Sequence, residues 1–162
     1  MLNVQELAQE IIHYANAHRL SVCTAESCSA GHLATTFAKC EGAAAAYQGG
    51  VVAYTPDAKI RVLSVPEDAI RDGTTVCDVV AEAMALGAVK KFGANFGVAI
   101  TGVAGPKPDE EGNPVGLVYC GVARSDGGTR HVKLELGNKS PHEIIEQACL
   151  ASLALLRDFA FS

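Results

Sequence analysis

"LVYCGVARSDGGTRHVKLEL" (117–136) reads as two strands of alternating character joined at Ser125-Asp126-Gly127-Gly128. Asp-Gly and Gly-Gly pairs supply the positive φ angles that tight hairpin turns require, so an antiparallel hairpin is expected here. The stretch decides the fold because everything before it alternates helix and strand. That alternation alone would specify a parallel sheet covered by helices. With the hairpin added, the expectation is a three-layer α/β/α sandwich. Its sheet is mixed and mostly parallel, and it carries a C-terminal antiparallel hairpin.

Working back from the hairpin, "VAGPKPDEEGNPVG" (103–116) is a loop rich in glycine, proline and acids, and "ANFGVAITG" (94–102) is an apolar strand. Residues 77–92 form a helix with Val80, Met84 and Ala88 at helical spacing. Two short helices begin at Pro56 and Pro66, where a first-turn proline is tolerated, and the second stops near Gly73. "YQGGVVAY" (47–54) and "LSVCTA" (20–25) are two more strands, and a helix is expected over 29–39. Val4, Leu7, Ala8, Ile11, Ile12 and Ala15 mark an amphipathic first helix. Beyond the hairpin, Pro141 opens a long helix to Phe159 with Ile145, Cys149, Leu153 and Leu156 on its apolar stripe. No repeat or linker interrupts the 162 residues, which are read as one domain, 1–162.

Composition narrows the function classes. The formal net charge is −5 and the basic residues are scattered, which argues against a nucleic-acid partner, since phosphate binding needs clustered cations. No apolar run approaches the roughly 18 residues of a membrane span. The N-terminal stretch has acids and a helical period instead of a signal peptide's basic and apolar regions, so the expected location is cytoplasmic. The six cysteines are dispersed, without CxxC or Cys/His spacing, and read as small core side chains rather than metal ligands. No metal and no cofactor is expected. A small-molecule partner is expected, and apolar helix surface leaves room for a homo-oligomer.

Three polar loops follow three expected strands, at 26–31, 54–59 and 101–106. If those strands are parallel, the loops gather at one edge of the sheet, where ligands bind in α/β folds. The first loop offers Glu26, Ser27, Ser29 and Gly31 at a strand-to-helix junction, where free N–H groups favour an anion or oxyanion. Either serine is a nucleophile if a base lies beside it; otherwise it caps a helix. The second loop offers Tyr54 and Lys59. A lysine serves as general base when burial lowers its pKa, and otherwise is a surface residue on a helix. Tyr54 reads equally as a half-buried strand end. The third offers Thr101, Gly102, Gly105 and Pro106, where glycines let the backbone approach a ligand or simply make a turn. Glu110 and Glu111 read as solvated loop charges, and His32 as a helix-surface residue.

"TAESCSAG" (24–31), "GGVVAYTPDAKIRVLSV" (49–65), "GVAITGVAGP" (97–106) and "PVGLVYCGVA" (114–123) together resemble the CinA C-terminal domain family, in its order and spacing. Its members include nicotinamide-nucleotide amidohydrolases. The resemblance implies an α/β/α domain that hydrolyses the amide of nicotinamide mononucleotide to nicotinate mononucleotide and ammonia, in pyridine-nucleotide recycling. Carried over by motif, it implies Ser27, ahead of Ser29, as nucleophile and Lys59 as its base with Tyr54 beside it. Glu26, Gly31, Thr101, Gly102, Gly105 and Lys139 are the implied substrate-binding residues. Where the family commonly has Gly-Asp-Arg and a further Arg, this chain reads "GNKSPHEIIEQA" (137–148). Lys139 and Ile145 occupy the arginine positions, and neither replaces a bidentate guanidinium. Near 76 the family often has Ser where this chain has Cys77. These departures keep two further readings open: a pyridine-nucleotide-binding module without turnover, and a partner protein in competence or DNA repair.

Overall fold

The computed structural model describes residues 1–71 and 73–162. In chain order the elements are α1 (Val4–Ala17), β1 (Val22–Glu26), α2 (His32–Ala38), α3 (Ala43–Ala46), β2 (Tyr47–Val52) and α4 (Pro56–Leu63). They continue with α5 (Glu67–Arg71), α6 (Asp78–Phe92), β3 (Phe96–Gly102), β4 (Leu117–Arg124), β5 (Thr129–Glu135) and α7 (Pro141–Phe161). The sheet order is β2-β1-β3-β4-β5. β1 pairs in parallel with both β2 and β3, while β4 is antiparallel to β3 and β5. Four strands therefore point one way and β4 runs against them. The expected mixed three-layer sandwich with its hairpin is the fold observed.

Strand alternation sorts the core into two layers. Val22, Val98, Ile100, Val118, Cys120 and Val122 face α1, α2 and α7. Cys23, Ala25, Ala99 and Ala123 face α4 and α6. On that second face the backbones come close. A Cβ added at Gly121 would lie 2.4 Å from the carbonyl oxygen of Ala81 in α6, and one at Gly97 would lie 2.7 Å from that of Ala85. Glycine is required there because no side chain fits between strand and helix.

Several boundaries differ from the sequence reading. α2 starts at His32 and not at residue 29, because Ala30 (φ 48°) and Gly31 (φ 101°) are left-handed and no right-handed helix runs through them. α3, a single turn of four alanines, had no sequence signal strong enough to separate it from its surroundings. In α7 the buried stripe is Ile144, Ala148, Cys149, Ser152, Leu153, Leu156 and Phe159, so Ile144 faces the core and Ile145 is half-buried. Ser140 caps that helix by accepting from the Glu143 N–H, with Pro141 in the first turn. Among the described residues no helix is long and apolar enough to cross a membrane.

Candidate functional site

The parallel registers bring the three loops together, as the strand directions required. The Ser27 N–H donates to Ile100 O at 3.0 Å and the Ala53 N–H to Glu26 O at 2.8 Å, each extending a ladder one step beyond the strands. Past these points the chains diverge around a cleft of about 470 Å³, within the range of small-molecule sites. Its wall includes Ser27, Tyr54, Lys59, Thr75, Thr101 and Gly105.

Lys59 lies at the bottom of this cleft. α4 begins at a Thr55 cap whose hydroxyl accepts from the Ala58 N–H at 3.1 Å, with Pro56 fixing the first turn. That turn folds Lys59 back toward the residues that precede the helix. The side chain is 1% exposed. Its Nζ hydrogen-bonds Ser27 Oγ at 2.8 Å, Ala53 O at 3.0 Å and Tyr54 O at 3.1 Å. Burial pushes the amine down from 10.5 to about 8, while the anionic forms of Cys28 and Glu111 pull it partly back. The three-partner geometry has a chemical consequence. A neutral lysine amine keeps two N–H groups and one lone pair. As an ammonium Lys59 donates to all three partners; once neutral, with its two N–H groups on the two carbonyls, its lone pair faces the Ser27 hydroxyl.

The neighbouring nucleophiles are not equivalent. Ser27 also approaches Tyr54 O at 3.4 Å as a donor. Burial pushes the Cys28 thiol up to about 12, so it is not a thiolate at neutral pH. The N–H groups of Cys28 and Ser29 lie beside the Cys28 sulfur, and among the described residues neither bonds a backbone carbonyl. Ser29 is buried outside the cleft wall, and among the described residues its hydroxyl finds no hydrogen-bond partner. Of the two serines, Ser27 is the one that lines the cleft beside Lys59.

Other expected site residues fall elsewhere. Glu26 is buried and spends its carboxylate on α2, accepting from the Leu33 N–H at 2.8 Å and the Ala34 N–H at 3.1 Å. It anchors a helix start and does not line the cleft. Gly31 is the left-handed N-cap of the same helix, also outside the cleft. Tyr54 is 67% exposed rather than half-buried, and its contact with Lys59 and Ser27 is through its backbone carbonyl. Thr101 lines the cleft, but its hydroxyl donates to Thr75 O at 2.7 Å. Gly102 and Gly105 line it as expected; a Cβ at Gly102 would meet Val118 Cγ2 at 2.7 Å. Lys139 is exposed, donates to Gln147 Oε1 at 3.2 Å on α7, and is absent from the cleft wall. His32 bridges to Glu146 at 3.0 Å and ties α2 to α7.

Sequence reasoning missed Thr75, Lys107, Asp109, Glu110 and Glu111 as cleft residues. Glu111 is no free loop charge. Its carboxylate accepts from the Thr75 N–H at 2.9 Å, from Thr75 Oγ1 at 2.8 Å and from Thr74 Oγ1. The "GTT" segment before α6 carried a hint, since adjacent hydroxyls beside a loop of acids make natural donors. Cys77 occupies the α6 N-cap without a side-chain cap bond; its Sγ donates to Thr74 O at 3.3 Å. Among the described residues no group of His, Cys, Asp and Glu is placed to hold a metal ion.

Comparison with known proteins bears on the family and the fold. Residues 4–160 match the CinA C-terminal domain. This chain belongs to that family. A CinA-like protein of Mycobacterium sp. (strain JLS) is 42% identical over 139 residues, covering 85% of this chain and 32% of that protein. One from Synechocystis sp. is 38% identical over 133 residues, covering 81% and 32%. The chain thus spans about a third of the length of these curated CinA relatives. Among solved structures of the superfamily, a competence/damage inducible protein from Agrobacterium tumefaciens superposes with a TM-score of 0.92 at 34% identity, covering 98% of this chain and 96% of that one. A CinA superfamily protein from Escherichia coli gives 0.90 at 29% identity, covering 96% and 90%.

Proposed function

We propose that the Ser27–Lys59 cleft hydrolyses a carboxamide, and that its substrate is nicotinamide mononucleotide, giving nicotinate mononucleotide and ammonia. The observation that carries this reading is the 2.8 Å contact between Lys59 Nζ and Ser27 Oγ, with the amine held by two carbonyls and shifted to about 8. The family resemblance, which includes amidohydrolases of this substrate, supplies the substrate's identity.

In this mechanism Ser27 Oγ attacks the amide carbon while Lys59 takes the hydroxyl proton. The oxyanion forms beside the N–H groups of Cys28 and Ser29, which it would take over from the Cys28 sulfur. The C–N bond then breaks. The Lys59 ammonium returns the proton to the leaving nitrogen, and ammonia departs. Water attacks the resulting ester with Lys59 again as base. The ester C–O bond breaks and Ser27 recovers its proton. Thr101, Gly102 and Gly105 shape the wall beside the substrate, and Lys107 offers an ammonium at the cleft rim. Lys139 has no direct role in this scheme.

The test is ammonia release from nicotinamide mononucleotide by the wild-type chain and by Lys59→Ala. Removal of the base is expected to lower kcat by about 10²–10⁴-fold. Absence of turnover by wild type at high enzyme concentration rejects the substrate. A Lys59→Ala rate equal to wild type rejects the mechanism.

A further inference from the structure

We propose that Glu111 is a positioning residue of the Ser27–Lys59 site, tying the 74–75 segment to the 103–116 loop and so forming part of the cleft wall that Ser27 and Lys59 share. The proposal rests on the reading of Ser27 and Lys59 as nucleophile and base.

Three donors from two adjacent threonines converge on this one carboxylate: the Thr75 N–H at 2.9 Å, the Thr75 hydroxyl at 2.8 Å and the Thr74 hydroxyl. Thr75 is tied in turn to the end of β3, because its carbonyl accepts from Thr101 Oγ1 at 2.7 Å. The loop is braced from within. Asp109 accepts from the Asn113 N–H at 2.7 Å and from Asn113 Nδ2 at 2.8 Å, and Nδ2 also reaches Thr74 Oγ1 at 2.8 Å. Glu111 therefore closes a chain of contacts running from the third strand, through the segment before α6, into the loop. Thr75, Thr101 and Glu111 all line the cleft that holds Ser27 and Lys59. A carboxylate accepting several hydrogen bonds, one of them from a backbone N–H, is held in place more firmly than a solvated loop charge.

Its charge has a second effect. Two ionisable groups act on the Lys59 amine: Cys28, from the turn after β1, and Glu111, from the loop. The Cys28 thiol is neutral at physiological pH, since burial lifts it to about 12. Lys107, Asp109 and Glu110 share the cleft wall, Asp57 and Arg61 of α4 pair with each other at 3.0 Å, and among the described residues no group of α6 is a cause of the Lys59 shift. Burial lowers the Lys59 pKa, and Glu111 acts against that larger effect.

The test uses Glu111→Gln and Glu111→Ala in the full chain, with folding checked by circular dichroism. An NMR titration of labelled lysine, assigned by loss of the signal in Lys59→Arg, reads the Lys59 pKa without any substrate. With the carboxylate's charge gone, Lys59 is expected to titrate at lower pH in Glu111→Gln, and the acid limb of kcat/KM to move with it. Glu111→Ala is expected to raise KM several-fold as the wall loses its tie. A Lys59 titration unchanged in Glu111→Gln overturns the proposal, as does a wild-type KM in Glu111→Ala. A shifted Lys59 in a protein that does not turn over nicotinamide mononucleotide supports the placement of Glu111 and rejects only the substrate.

Discussion

The two faces of the sheet are built on opposite principles. Toward α1 and α7 the strands present valines and isoleucine, filling the space between sheet and helices with side chains. Toward α6 they present glycine, alanine and cysteine, and helix backbone comes almost into contact with strand backbone. The face of small residues carries the proposed chemistry. α4 packs on α6, and Lys59 projects from α4 beneath the loops. Packing through backbone leaves little freedom to adjust, which suits a base that must stay within hydrogen-bond reach of one hydroxyl. The face of larger side chains carries the bulk of the core and receives Glu26, whose carboxylate organises α2 instead of a substrate.

The sharpest way to test that division is at the two serines. Ser27→Ala is expected to lower amide turnover by at least about 10³-fold, whereas Ser29→Ala is expected to stay within a few-fold of wild type. Equal losses in a kcat measurement would mean that both serines serve the reaction. Next come opposite changes on the two faces. Leu153→Ala, on the side of α7, removes buried volume and is expected to cost about 2–5 kcal/mol in urea unfolding. Gly121→Ala adds a single carbon against the Ala81 carbonyl and is expected to cost about 1–3 kcal/mol. A neutral Gly121→Ala would show that α6 can move aside.

Lys59 also makes the chemical face dependent on pH. Its folded pKa is lowered from 10.5 to about 8, so the folded state holds fewer protons than the unfolded chain between those values. The penalty for burying the ammonium is fully present below about pH 8 and fades as pH rises toward 10.5. This contribution to stability therefore rises with pH across that window. Melts of Lys59→Met, compared with wild type, are expected to lack that rise. Under the proposed mechanism activity is expected to rise in the same direction, because the neutral amine acts as the base. The smallest effect is expected at His32→Ala. It breaks a partly exposed contact with Glu146 between α2 and α7 and is expected to change stability by about 0–1 kcal/mol, read by thermal melts.

The arrangement of loops was legible in the sequence because it follows from strand direction. Three apolar strands each ended in polar residues, and parallel pairing left those ends one place to go. The hairpin was legible from Asp126-Gly127. The fate of Glu26 was not, because it depends on Ala30 and Gly31 turning left-handed before α2, and an alanine gives no sign of doing so. The exposure of the Tyr54 ring was hidden for a related reason. The residue matters through its carbonyl, which every residue type possesses. Glu111 was missed because its partners lie 36 and 37 residues away in sequence. Lys139 stood at a motif position, yet the first turns of α7 draw it to Gln147 and away from the cleft.

The carbonyls that hold Lys59 belong to Ala53 and Tyr54, so the base and its holders lie within seven consecutive residues, 53–59. One strand end, one capped turn and the first turn of a helix make this half of the dyad a local unit. Ser27 belongs to the neighbouring strand and arrives only through the pairing of β1 with β2, Ala25 opposite Val51 and Glu26 opposite Val52. A slip of one residue would carry Ser27 to the other face of the sheet and leave the lysine intact but alone. The short contact between them is therefore a gauge of strand register, and a chain that reacts at Ser27 reports that its first two strands have aligned correctly.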